Sequence, residues 1–204
     1  MWNFISKGGY LMYPLLFSSI LALAIILERT IMLHRLSLPL DPLLEKIKEL
    51  LSRGKILEAI ESCEKYNLPL SRVLRVGLLH HERDSQIIQE LMETQLEEEM
   101  PLLERHLGIL ATLAAVSPRL GLLGTVSGMV KIFATIEAGG GAVDPGSLAG
   151  GIWEALLTTV FGLMIAIPSL IAYNYFTSRT QNLVREIRLG IRKLLQILET
   201  ASFV

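Results

Sequence analysis

The sequence predicts an all-α integral membrane protein with three transmembrane helices and long helical cytoplasmic extensions. Of its 204 residues 51% are hydrophobic, and the mean hydropathy of +0.47 is too high for an ordinary soluble domain. The apolar excess is gathered into three charge-poor runs, each long enough for a helix to cross a hydrocarbon core of ~30 Å. Lys and Arg are also distributed unevenly between the segments that join those runs.

Residues 1–35 read as an outside N-terminal segment and the first span. Gly8 to Leu27 is twenty residues without a charge, enough for a helix of about 30 Å. It is longer than a signal-peptide apolar core and lacks an A-x-A-like cleavage site, so it is expected to be retained. Residues 36–106 read as a cytoplasmic helical region. Asp41 is expected to cap a helix with Pro42 in its first position, and Arg53-Gly54 to stop it. Asn67-Leu68-Pro69 separates two further helical pieces. From Ser85 a helix carrying Ile88, Leu91, Met92, Leu96 and Leu103 leads toward the second span, with Pro101 as a bend. The acid run Glu97-Glu98-Glu99 reads as a solvated face.

Residues 107–136 form the second span, interrupted only by Arg119 and Lys131. Arg119 has three readings open to it: snorkelling, pairing with an acid of a neighbouring subunit, or binding lipid headgroups. Lys131, near the outer end, is expected to snorkel. The segment 137–147, EAGGGAVDPGS, reads as a short exposed turn. Residues 148–176 are the third span, with Glu154 as its sole charge. In the tail, 177–204, apolar residues recur at Leu183, Val184, Ile187, Ile191, Leu194, Leu195 and Leu198. That pattern predicts an amphipathic helix continuing the third span, which packs against neighbouring helices or, as the alternative, lies on the membrane surface.

Charge sets the direction. Eleven Lys/Arg lie in 28–106 and five in 177–204, against Lys7 alone at the N-terminus and none in 137–147. The positive-inside rule places the N-terminus outside and the middle segment and tail in the cytoplasm.

Several functions are excluded by the same reading. A formal net charge of -1 lacks the basic excess of a nucleic-acid binder. The single cysteine, Cys63, permits neither an intrachain disulfide nor a multi-thiolate metal site, and its place beside Ile56 and Ala59 suits a small buried hydrophobe. No Gly-Lys-Ser/Thr follows the glycines of the second span, so they are not a phosphate-binding loop. His80 and His81 diverge on a helix and read as surface residues. No Ser/His/Asp or Cys/His set stands out, so neither enzyme activity, cofactor nor metal is expected.

What the glycines do is the more informative question. Ser117, Gly121, Gly124 and Gly128 line one side of the second span, and Gly151, Ala155, Thr159, Gly162, Ala166 and Ser169 one side of the third. Helices in lipid associate through close packing, which small residues permit. Packing alone does not explain the polar atoms. Glu154 lies about 10 Å inside the third span, and intramembrane acids mark ion or proton routes. Thr158, one turn on, is placed to hydrogen-bond that carboxylate. Alternatively, the hydroxyls of Thr125, Thr158 and Thr159 bond carbonyls of their own helices. Pro118 and Pro168 are expected to kink the two spans.

The second span reads Pro118-x-x-Gly121-x-x-Gly124-Thr125-Val126-x-Gly128. The third reads Glu154-Ala155-Leu156-Leu157-Thr158-Thr159, then Gly162-Leu163, Ala166-Ile167-Pro168 and Tyr173-Asn174. These motifs, their order and the three-span layout resemble the ExbB/TolQ/MotA proton-channel family over nearly the whole chain. Three spans favour the ExbB and TolQ branch over the four-span MotA branch. The resemblance implies a ring of five subunits in a bacterial inner membrane, enclosing the single transmembrane helices of an ExbD- or TolR-like partner. It implies that the complex uses the proton-motive force, that the partner's aspartate carries the proton, that Thr125 and Thr159 face it, and that Glu154 lies at the pore. The alternative is a structural membrane scaffold with tight small-residue packing and no ion path.

Overall fold

The structure, a computed structural model, describes residues 9–36, 40–66, 68–139 and 144–201. Lys7, Asn67 and residues 140–143 of the 137–147 turn lie outside them. The described residues form seven helices: α1 (Met12–Leu36), α2 (Leu40–Ser52), α3 (Ile56–Tyr66), α4 (Pro69–Leu79), α5 (Ser85–Glu104), α6 (Leu107–Ala138) and α7 (Pro145–Ala201). Three of them, α1, α6 and α7, are long and apolar enough to cross a membrane. The chain divides into two compact units, one within Met1–Thr30 and His106–Tyr175, the other within Ile31–Arg105 and Phe176–Val204.

The first unit holds the leading part of α1, all of α6 and the first half of α7. Met12 and Leu15 of α1 pack with Ile165 of α7, flanked by Leu120 and Phe161. The opposite face of α1 exposes Tyr13, Phe17, Ile20, Leu23 and Leu27, an apolar stripe suited to lipid. Hydroxyls on these helices mostly bond their own backbone, as Ser18 does to the Pro14 carbonyl and Ser169 to that of Ile165. Both helices continue through Pro118 and Pro168. α6 begins where the chain turns at His106, whose φ of 63° is left-handed. That conformation costs a non-glycine residue about 1 kcal/mol, and a contact of 2.6 Å between its Nδ1 and Glu28 Oε2 holds it.

The second unit packs α2 to α5 around the last part of α7. α2 starts at Leu40, so Asp41 and Pro42 fall in its first turn rather than at a cap. Its end is a Schellman motif: Gly54, at φ +70°, donates to the Leu51 carbonyl and Lys55 to that of Leu50. Pro69 opens α4, with Ser71 Oγ accepting from the Leu68 amide, and Asp84 accepts from Gln86 N at the start of α5. The core joins Ile47, Val73, Leu74, Leu78, Met92, Leu96 and Leu103 to Ile187, Ile191 and Leu194 of α7. Full burial of one such side chain contributes about 1.5–3 kcal/mol, which fixes the tail's apolar stripe against helices. Gly77 lets α4 sit close, since a Cβ there would lie 2.6 Å from Met92 Sδ and 2.9 Å from Leu194 Cδ2.

One expectation fails in this unit. Glu97 and Glu98 are solvated, but Glu99 is only 7% exposed. It shares the inward side of α5 with Leu96 and Leu103 and accepts two hydrogen bonds from Arg72, at 2.6 Å from Nε and 2.5 Å from Nη2. That pairing holds the guanidinium pKa above its ordinary value. A triplet of acids on a helix spans 200°, so one of the three must face inward whenever the helix is half-buried.

Two outcomes follow. Glu99→Ala removes the carboxylate to which Arg72 donates and should destabilise the protein by about 1–3 kcal/mol, less than the ~3–5 kcal/mol of a fully buried pair because Arg72 is one-third exposed. Glu98→Ala should change little, and equal thermal midpoints for the two variants in detergent would contradict the pairing. Burial pushes the Cys63 thiol up to about 11, against the opposing pull of Arg75 and Lys46. Alkylation of the native protein should therefore be negligible at pH 8 and rise only as pH approaches that value, whereas the unfolded chain should react fully at pH 8.

Candidate functional site

The site is built where α6 and α7 touch. A Cβ on Gly121 would lie 2.9 Å from Thr159 Cα, and one on Gly162 would lie 2.5 Å from the Ser117 carbonyl oxygen and 3.2 Å from Gly121 Cα. Backbone atoms cannot move aside as a flexible side chain can, so these two positions exclude even alanine. Gly124 faces the Thr158 side chain with no room for a Cβ, and Gly128 faces Ala155, where a Cβ pair would stand at 2.9 Å. Ser117, Ala155, Ala166 and Thr158 are buried in the same region. Ser117 serves by its size, because its buried Oγ makes no hydrogen bond among the described residues.

Polar bonds cross this contact. Thr159 Oγ1 donates to the Gly121 carbonyl at 2.9 Å, and Thr158 Oγ1 lies 2.7 Å from the Ala155 carbonyl and 3.3 Å from that of Gly121. Interhelical bonds of this kind contribute about 0.6 kcal/mol each in a bilayer. Thr158 is 2% exposed and its hydroxyl is directed to those carbonyls, not to Glu154. This corrects the pairing suggested by their four-residue spacing. The Ala155 carbonyl lies one turn back on the same helix, and the glycines bring Gly121 within reach. Thr125 is half-buried and bonds the Leu122 carbonyl of its own helix at 2.7 Å.

Glu154 is half-buried at the edge of the contact. No described residue forms a hydrogen bond or ion pair with its carboxylate. It borders two cavities, one of about 190 Å³ toward Lys131, Thr135 and Leu148 and one of about 60 Å³ beside Gly9, Tyr10 and Ser127. Thr158 lines the smaller cavity, while Thr125 and Thr159 line neither. Gly9, at φ +68°, approaches the carboxylate, and a Cβ there would collide with Glu154 Oε1. Tyr10 Oη and Ser127 Oγ stand 3.1 Å apart, tying the turn ahead of α1 to α6.

The sequence reading did not join Gly9, Tyr10, Ser127 and Lys131 to Glu154. Part of the signal was present: Gly124, Gly128, Lys131 and Thr135 follow four-three-four spacing and lie on one face of α6. Arg119 bends back along α6 and donates from Nη1 to the Ala115 carbonyl at 2.9 Å. His80 and His81 rest on carbonyls of their own helix, and no cluster of metal-ligating residues occurs among the described residues.

A multi-pass helical membrane protein with an acid at the edge of a close contact between two spans is a recognisable class. Residues 65–189 match the model of the MotA/TolQ/ExbB proton channel family, and the chain belongs to it. An ExbB homologue of Methanothermobacter thermautotrophicus is 33% identical over 189 residues, covering 92% of this chain and 66% of the relative, just under two thirds of its length. An ExbB-like protein of Synechocystis sp. is 32% identical over 172 residues, 84% of this chain and 82% of that one. The Tol-Pal system protein TolQ of Pseudomonas aeruginosa is 29% identical over 202 residues, 90% and 86% of the two chains. The relatives place the chain in the ExbB/TolQ branch, a family of membrane proton-channel components and not of catalysts.

Gly162→Ala should destabilise the α6–α7 contact strongly, whereas Gly108→Ala, with nothing within 4 Å of its Cβ, should be neutral or stabilising by up to about 1 kcal/mol. Denaturant titration of the two variants in detergent checks this. Equal stability would mean that the close approach is absent.

Proposed function

We propose that this chain is a ring-forming subunit of an inner-membrane complex that uses the proton-motive force to drive conformational work through a single-span ExbD/TolR-like partner. The observation that carries the reading is Glu154, a carboxylate without a described protein donor, beside cavities at the contact between two spans. A carboxyl group there can take up and release a proton, while threonine cannot titrate near neutral pH. Thr159 and Thr125 retain acceptor lone pairs after donating to carbonyls, so they can still solvate a proton carrier. Thr158 serves the helix contact first. Family membership supports a ring of five, with the charge pattern supporting an outside N-terminus and a cytoplasmic tail.

The energy scale suits the task. One charge moved across 100 mV is worth about 2.3 kcal/mol, a shift of about 50-fold in a two-state equilibrium. A second reading, a structural scaffold without an ion path, draws on the Thr158 and Thr159 hydroxyls, both of which reach the Gly121 carbonyl.

The full chain, co-purified with the product of a neighbouring gene encoding a single-span protein, can be reconstituted into vesicles containing a pH-sensitive dye. Glu154→Gln and Thr159→Val should each lower potential-driven proton flux by about tenfold or more while the complex still assembles. Flux equal to wild type in both variants would remove the mechanism, and wild-type flux no greater than that of empty vesicles would favour the scaffold.

A further inference from the structure

The larger cavity beside Glu154 has a direction. Along α7 it runs from Glu154 past Gly151 to Leu148, six residues or about 9 Å of helix. Along α6 it runs from Gly128 past Lys131 to Thr135. Both progressions lead toward the helix ends that the 139–144 connection joins. At about 190 Å³ it can hold on the order of six waters at liquid density, and its lining supplies the ammonium, hydroxyl and carboxylate groups that such waters need. Gly151 lets Ile132 pack close in its wall, since a Cβ there would stand 2.6 Å from Ile132 Cγ1.

Its charge is unusual. Lys131 borders both cavities and, with Glu154, supplies the only charged groups among their described lining residues. The two make no ion pair within 4 Å, and Lys131 forms none with any other described residue. Glu137 and Asp144 stand on exposed positions near the same helix ends, outside the lining. Lys131 is exposed, and an ammonium at the border of a mostly apolar cavity raises the energy of any cation that enters it. A proton overcomes that cost at the end of its path by forming an O–H bond with the carboxylate, whereas sodium remains a cation throughout.

We propose that this cavity is a water-filled vestibule by which protons reach Glu154 from the membrane face carrying the α6–α7 connection, and that Lys131 keeps sodium out of it. The proposal rests on the reading of Glu154 as a proton-pathway group. It adds the side from which the proton arrives and a residue that sets ion selectivity.

The test uses the full chain in lipid vesicles with Cys63→Ala, which removes the sole native thiol, and Glu154→Cys at the base of the vestibule. Two membrane-impermeant methanethiosulfonates, the anionic sulfonatoethyl and the cationic trimethylammonium-ethyl compounds, are added to one face at a time, with rates normalised to a small free thiol. Labelling should occur from the face carrying the connection, with the anionic reagent favoured about tenfold. Lys131→Gln should erase that preference. A Glu154→Cys thiol that reacts only from the opposite face, or only after unfolding, overturns the vestibule. A preference unchanged by Lys131→Gln overturns the selectivity role. Labelling is read without proton flux, so these failures are distinct from a failure of the proton-coupling reading, which the flux assay of Glu154→Gln reports.

Discussion

Two helices surrounded by lipid gain nothing from water, so α6 and α7 hold together only as well as their surfaces fit. The fit here is backbone against backbone. At Gly121 and Gly162 no side chain stands between the helices, and the Gly121 carbonyl comes within reach of two threonine hydroxyls on the neighbour. Glycine within an exposed helix costs about 1 kcal/mol relative to alanine. Here the dispersion contacts and interhelical bonds offset that cost. The helices are pinned along the middle of the contact, and beyond Gly128 the space between them is filled incompletely. Glu154 sits at that transition, with tight packing on one side and a polar cavity on the other.

Much of this was legible before any coordinates. The small-residue stripes identified which faces of the two spans meet, because a four-three-four spacing has one meaning on a helix. The three spans and the amphipathic tail were legible from composition and period alone. What escaped were pairings set by tertiary context. Glu99 looked like its solvated neighbours because charge predicts exposure, and only the position of Arg72 on α4 makes its burial tolerable. Thr158 lay one turn from Glu154, yet a hydroxyl bonds the carbonyl that reaches it first. The approach of Gly9 and Tyr10 depends on a left-handed backbone angle ahead of α1, which no periodicity announces.

Electrostatics in the two units follow different rules. The second unit buries a carboxylate only with a bidentate arginine, and it holds its cysteine neutral. The first unit leaves a carboxylate half-buried with no described donor and sets a lysine in the lining of the same cavities without pairing them. Unpaired charge in a membrane segment is costly, so it persists where water or a moving proton compensates. Under the proposed function, that compensation ties the packing of α6 and α7 to proton transfer.

The central claim is that the Glu154 carboxyl exchanges protons with water while the α6–α7 contact stays closed. Infrared difference spectroscopy of the membrane-embedded full chain, compared with Glu154→Gln, tests it most directly. The account predicts a carboxyl C=O band that titrates, shifts promptly in D₂O and is missing from the variant. A band absent from both proteins, or one that resists deuterium until the protein unfolds, would contradict it.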